Sequence, residues 1–148
     1  MSDSGRDAGR IVVGVDGSEA SKAALRWAVT QAQASGAVVE ALAAWEAPAD
    51  WYGLVPKTDD KTVAAEGVAQ RLEAIVAETV GTEPSAEVRT TVTEGNPASA
   101  LVDAAHDAQL LVVGNRGHGR FSEALLGSVS LRCVQHATVP VVVIPAAG

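Results

Sequence analysis

Apolar and polar positions along the chain alternate between two periods, one suited to strands and one to helices. Arg10-Ile-Val-Val-Gly-Val15 is a short β-branched run with no polar break, the pattern of a strand buried on both faces. Asp16-Gly-Ser18 turns the chain, and Ser18 is placed to cap a helix that runs to about Ser35 and is closed by Gly36. Ala37 to Trp45 reads as a second strand, weakened by Glu40 and its alanines. The segment from Glu46 to Asp60, with Pro48, Trp51, Tyr52, Gly53 and Pro56, is longer than most connections in compact domains; such loops serve as lids or binding loops or are disordered. Beyond it, Ala64, Val68, Leu72, Ile75, Val76 and Thr79 recur at three- and four-residue spacing, predicting a helix that ends at Gly81. Ala86 to Val92 alternates as a half-exposed third strand does. Asn96-Pro97 starts a helix, with Asn as cap and Pro in the first turn; it carries Leu101, Ala104 and Ala105 and ends near Asp107. Leu110 to Val113 is a fourth strand that stops at Gly114. A loop of glycines and basic residues leads to a helix with Val129, Cys133, Val134 and Ala137, and Val139 to Ile144 is the fifth strand.

Five strands separated by four helical crossovers predict an α/β fold, a five-stranded parallel sheet with helices on both faces. One common arrangement for a domain of this size has strand order 3-2-1-4-5, with its switch point between strands 1 and 4. Ligands of such sheets bind beyond the carboxyl ends of the strands at that point. The segments expected there are Gly14-Val-Asp16-Gly-Ser18 and Gly114-Asn-Arg-Gly-His-Gly-Arg120. Residues 1–9 read as a polar, flexible lead and residues 10–148 as one domain.

Composition narrows the function. The 148 residues are 47% hydrophobic, enough for a core and too apolar for a disordered chain. Eleven Lys and Arg against 18 Asp and Glu give a net charge of −7, the wrong sign for nucleic-acid binding. A small phosphate ligand is still allowed, since backbone dipoles hold one without net positive charge. The single cysteine, Cys133, has no intrachain disulfide partner, and no Cys/His cluster has zinc-site spacing. No apolar run is long enough to span a bilayer, and the first ten residues lack the apolar stretch of a signal peptide. A cytoplasmic protein without membrane or nucleic-acid partners is the expectation.

The loop after strand 4 concentrates the chemistry. Gly114, Gly117 and Gly119 alternate with Arg116, His118 and Arg120, with no acid before Glu123, and Gly127-Ser128 opens the last helix. Glycines let a backbone approach phosphate oxygens, and the N–H groups of Ser128 and Val129 are helix-start donors to which the Ser128 hydroxyl adds another. Arg116 and Arg120 can supply charge-assisted contacts to outer phosphates. The plainer alternative is that the glycines only turn the chain and Ser128 only caps a helix.

Gly114-x2-Gly117-x9-Gly127-Ser128 matches the motif spacing of the ATP-binding branch of the universal stress protein family. Ile-Val-Val-Gly-Val-Asp-Gly-Ser near the start, Glu-Gly-Asn-Pro before the third helix, and Leu-Leu-Gly-Ser-Val leading to His136-Ala-x-x-Pro-Val-Val-Val-Ile also resemble that family. The likeness covers residues 10 to 145 and is least in the loop from 46 to 60. It implies that Asp16 faces an adenosine, that Gly14 and Val15 wall the same pocket, and that the backbone of Ala44 meets the adenine edge. It implies further that Gly114, Gly117, Gly127, Ser128 and Val129 cradle ribose and phosphates. Asn115 stands where many relatives have Ser, and Ala44 is smaller than the usual residue.

The function expected from this resemblance is a nucleotide-dependent stress-response switch binding ATP, with Mg²⁺ bridging its phosphates, and at most slow hydrolysis. Binding is expected to order the 46 to 60 loop or the glycine loop. Cyclic AMP or AMP in the same pocket, a dimeric interaction module with a vestigial pocket, and an ATP-hydrolysing or adenylate-transferring enzyme are the alternatives. The last lacks an activated nucleophile or general base. Val139 to Ile144, apolar on both faces at a sheet edge, predicts a homodimer that pairs this strand with a second copy, as family members do. Asp103, His106 and Asp107 share a predicted helical face as a weak metal candidate or a solvated charged surface. His136 suits a helix C-terminus, and Cys133 a core position. Trp51 and Tyr52 suit either base stacking or packing of their own loop.

Overall fold

The computed structural model describes residues 9–46, 61–115 and 127–146. Its elements alternate as the sequence pattern predicts. They are β1 (Arg10–Gly14), α1 (Glu19–Ser35), β2 (Val38–Trp45), α2 (Lys61–Val80), β3 (Val88–Glu94), α3 (Pro97–Ala104), β4 (Leu110–Gly114), α4 (Ser128–His136) and β5 (Val141–Ile144). The strands form one parallel sheet in the order β3-β2-β1-β4-β5. No described helix is long and apolar enough to cross a membrane.

Local chemistry fixes the helix ends. The Ser18 hydroxyl accepts the N–H of Ser21 at 3.2 Å, and Gly36, at φ +81°, closes α1 by donating to the carbonyl of Ala32 at 2.7 Å. Asn96 caps α3 by accepting from the N–H of Ser99 at 3.1 Å, with Pro97 as the first helical residue.

Side-chain alternation along the inner strands divides the core in two. Ile11, Val13, Val39, Ala41 and Val112 pack under α1 and α2, whereas Val12, Leu42, Leu111 and Val113 pack under α3 and α4. The buried stripe of α1 is largely alanine (Ala20, Ala24, Ala28, Ala32), so this helix lies close to the sheet. Two glycines take that approach furthest. A Cβ on Gly114 would stand 2.7 Å from the Ala20 carbonyl carbon, and one on Gly14 would stand 2.8 Å from Leu101 Cδ1. Glu40, out of place in an apolar strand, accepts from Arg10 Nη1 at 2.8 Å, and the same nitrogen donates to the last carbonyl of α3, on Ala104, at 2.8 Å. The pair therefore ties the amino-terminal end of the sheet to a helix terminus whose carbonyls lack intrahelical donors.

Several boundaries differ from the sequence pattern. β3 runs to Glu94 because pairing with β2 continues to Trp45↔Glu94, overriding the apolar alternation that suggested 86–92. β5 begins at Val141, since Pro140 has no N–H for the ladder and contributes only its carbonyl, which accepts from Leu111 at 3.0 Å. α3 ends at Ala104, and its last carbonyls are taken up by a tight turn in which His106 N–H donates to Asp103. Ala137 is the C-cap of α4, in extended backbone. Val134, one of the apolar residues that mark this helix in the sequence, is 47% exposed and shares the outer face of α4 with Leu131.

Cys133 is fully buried in the layer beneath α3 and α4, and burial pushes its thiol up from 9.0 to about 11. It is a core residue held neutral, as its apolar surroundings in the sequence suggest.

Gly114→Ala is expected to lower unfolding free energy by about 1–3 kcal/mol, because Ala20 backbone must shift. Gly67→Ala, at an open position inside α2, should raise it by about 0.5–1 kcal/mol, and urea titration of both variants checks the contrast. For Cys133, the unfolded thiol ionises first as pH rises above 9.0 while the folded thiol keeps its proton to about 11. Its contribution to stability is therefore complete below pH 9.0 and lost across that window. The stability difference between the unmodified chain and Cys133→Ala should shrink between those limits, measured by urea unfolding at each pH.

Candidate functional site

Strand β1 is paired on both edges, with β2 on one side and β4 on the other, and the winding of the chain reverses there. The carboxyl-terminal ends of these three strands lie level. Val15 continues β1 beyond its last ladder residue by donating to the Leu42 carbonyl at 2.9 Å. Carrying the pairings Gly14↔Leu42 and Val13↔Val112 forward places Ala44, Asp16 and Asn115 in one row across β2, β1 and β4. With strands about 4.8 Å apart, the row is about 10 Å long.

The sequence-predicted residues occupy distinct parts of this arrangement. Asp16 is exposed, and its Oδ1 accepts the N–H of Ser18 at 2.9 Å. Ala44 is half-buried, against the layer under α3 and α4. Val15 is 4% exposed and belongs to the core beneath α1, so any part it takes in the pocket is through its backbone. Gly14 and Gly114 flank the row, and the space their missing side chains leave is occupied by Leu101 and Ala20. Their role in helix packing is thus visible in the fold itself. Gly127, Ser128 and Val129 meet at the start of α4. Arg116, Gly117, His118, Gly119 and Arg120 lie outside the described residues, as do the 47–60 stretch with Trp51 and Tyr52, and residues 1–8.

Two helix N-termini flank the row, and they differ chemically. That of α1 is capped within the chain: the Ser18 hydroxyl takes the N–H of Ser21, the Ser18 N–H is held by Asp16, and Glu19 places a carboxylate in the first turn. That of α4 begins at Gly127, which offers no side-chain cap, and its first turn has no acid. The first intrahelical bond there is Leu131 N–H to the Gly127 carbonyl at 2.9 Å, leaving the N–H groups of Ser128, Val129 and Ser130 without an acceptor among the described residues. The positive end of the helix dipole and three converging donors suit an anion.

Residues not singled out in the sequence hold this terminus in place. The Ser130 hydroxyl, on a residue 2% exposed, donates to the carbonyls of Asn115 at 3.0 Å and Gly127 at 3.1 Å. The Asn115 carbonyl also accepts from Gly127 N–H at 2.6 Å, and Asn115 N–H donates to Ile144 at 2.8 Å. Asn115 thereby joins β4, β5 and α4, and Ser130 is spent on structure. The only sequence signal for Ser130 is a polar residue one turn into an apolar helix face. Asp103, His106 and Asp107 do not gather as a metal site. His106 and Asp107 leave the helix in the turn after Ala104, their closest approach is 4.0 Å, and no group of three metal-ligating side chains forms among the described residues. His136 lies exposed in the last turn of α4.

Residues 8–145 match the profile of the Universal stress protein family. A universal stress protein of Mycolicibacterium smegmatis is 33% identical over 141 residues, covering 90% of this chain and 47% of that protein. The chain spans about half the length of the curated relatives it matches. Among solved structures, universal stress protein UspA from Lactobacillus plantarum is 28% identical with a TM-score of 0.69, over 93% of this chain and 97% of that one. A universal stress protein solved in complex with cAMP is 25% identical with a TM-score of 0.64, over 94% and 98% of the respective chains. A parallel sheet of order 3-2-1-4-5, sequence likeness along nearly its whole length and the profile match agree: the chain belongs to the universal stress protein family.

Proposed function

We propose that the chain binds an adenine nucleotide at the β1/β4 switch point, with ATP as its ligand and Mg²⁺ bridging the phosphates, and that it acts as a nucleotide-dependent switch in a stress response. The observation that carries this reading is the contrast between the two helix starts beside the row. The α1 terminus is capped and faces its own acid, while the α4 terminus is open. That asymmetry also orients the ligand. Phosphates go to Ser128, Val129 and Ser130, the ribose lies over Asp16, and the base extends towards Ala44. The relative crystallised with cAMP supports an adenine nucleotide as the ligand class. Cyclic AMP or AMP is the second reading, since the same asymmetry orients a single phosphate.

The role needs no chemical step at the nucleotide, and binding alone biases which surface the protein offers to a partner. β5 is an edge strand of four aliphatic residues, all half-buried, with one side of its ladder unpaired by any described strand. Pairing with a second copy would satisfy that edge, and a homodimer in the cytoplasm is part of the proposal.

Mass spectrometry of small molecules released on denaturing the undialysed protein is expected to find ATP, and added ATP with Mg²⁺ should raise Tm. Ser128→Asp should weaken ATP by roughly tenfold or more, through repulsion at the helix start, and leave adenosine binding unchanged. An empty protein whose Tm is indifferent to ATP would favour an interaction module instead. Sedimentation velocity should show a dimer at micromolar concentration; a monomer there would refute the β5 pairing.

A further inference from the structure

The switch-point row contains an acceptor with nothing to accept. Oδ1 of Asn115 is sealed from solvent and has no hydrogen-bond partner among the described residues. Both backbone polar groups of the same residue are engaged, the N–H with Ile144 and the carbonyl with Gly127 N–H and the Ser130 hydroxyl. Those three bonds fix the root of the side chain at the junction of β4, β5 and α4. The side chain can still turn about its two torsions, of which the terminal one is broad. Buried polar atoms in native proteins are almost always paired, so an orphaned acceptor beside a binding site points to a donor that arrives with the ligand.

The identity of that donor follows from placement, and this step rests on the nucleotide reading above. The open N–H groups of α4 take phosphate oxygens, which at neutral pH are acceptors and cannot satisfy Oδ1. An adenine nucleotide carries donors only on the exocyclic amine and the sugar hydroxyls. The amine belongs to the base at the Ala44 end of the row, about 10 Å from Asn115. A sugar hydroxyl over Asp16 is one strand spacing away.

We infer that the Asn115 side-chain carbonyl accepts a hydrogen bond from a sugar hydroxyl of the bound nucleotide, making Asn115 a specificity-determining residue that favours ribonucleotides over their deoxy counterparts. Asp16 serves the neighbouring hydroxyl from the adjacent strand. The two residues divide the sugar between a charged and a neutral acceptor, and the neutral one stands next to the phosphates, where a second carboxylate would repel them.

Isothermal titration of the full chain with ATP, 2′-deoxy-ATP and 3′-deoxy-ATP tests the assignment. The unmodified protein should bind each of the two deoxy forms more weakly than ATP, by on the order of tenfold, the value of one hydrogen bond. Asn115→Leu should bind ATP more weakly and lose its preference against one of them, keeping the preference against the other that Asp16 supplies. Equal affinities for all three ligands in the unmodified protein, or undiminished preferences against both deoxy forms in Asn115→Leu, would overturn the inference and leave nucleotide binding standing. If Asn115→Leu does not fold, Asn115→Asp takes its place. It keeps an acceptor, so it should weaken all three ligands yet preserve their ratio, and a ratio of one would overturn the inference. Failure of the unmodified protein to bind any of the three would instead overturn the nucleotide reading, and this inference with it.

Discussion

Strand β1 is paired on both edges and covered on both faces, and this double constraint determines the rest of the site. Ile11 and Val13 are buried under one helical layer, Val12 under the other, and all three are fully inaccessible. A strand so enclosed has no freedom of register, because a slip of one residue would exchange its two faces. The parallel pairings with β2 and β4 therefore bring the carboxyl-terminal ends of three strands, at Ala44, Asp16 and Asn115, to the same level. Helix packing follows the same economy of space. Gly14 and Gly114 omit side chains where Leu101 and Ala20 press against the strand ends, so α1 and α3 sit hard against the rim of the site.

A level rim alone would not choose a ligand. The choice arises from the unequal treatment of two helix termini that elementary electrostatics makes equivalent. At α1 the chain caps its own start through Ser18, held by Asp16, and adds the carboxylate of Glu19. At α4 it supplies Gly127, which cannot cap with a side chain, and turns the hydroxyl of Ser130 back onto two carbonyls. The donors left open face one strand exit, and the carboxylate of Asp16 marks another. A ligand that is anionic at one end and hydroxylated next to it suits both.

Much of this was legible in the sequence for specific reasons. The unbroken β-branched run of β1, the Ser18 and Gly36 caps and the Asn96-Pro97 start are local signals with local causes, and the structure places them as expected. The strand order is one common arrangement for alternating strands and helices in a domain of this size, which the element sequence allows but does not single out. What was not legible depended on tertiary partners. The extent of β3 is set by the length of β2, and the start of β5 by the missing N–H of Pro140. Val134 follows the buried Cys133 by one residue, about 100° round the helix, and turns outward because α4 buries only a narrow stripe. At the site, the motif identified Gly127 and Ser128 but gave no hint that Ser130 anchors Asn115, since a bond between residues 15 apart leaves no periodic trace.

The central claim is that the open start of α4, rather than the capped start of α1, receives the anionic end of an adenine nucleotide. Titration of the isotopically labelled protein with ATP and with adenosine, followed through backbone amide resonances, tests it directly. ATP should move the amides of Ser128, Val129 and Ser130 well beyond the changes adenosine causes, while those of Lys22 and Ser21 in the first turn of α1 stay near their free positions. Equal movement with both ligands at α4, or the larger ATP response at α1, would contradict the account.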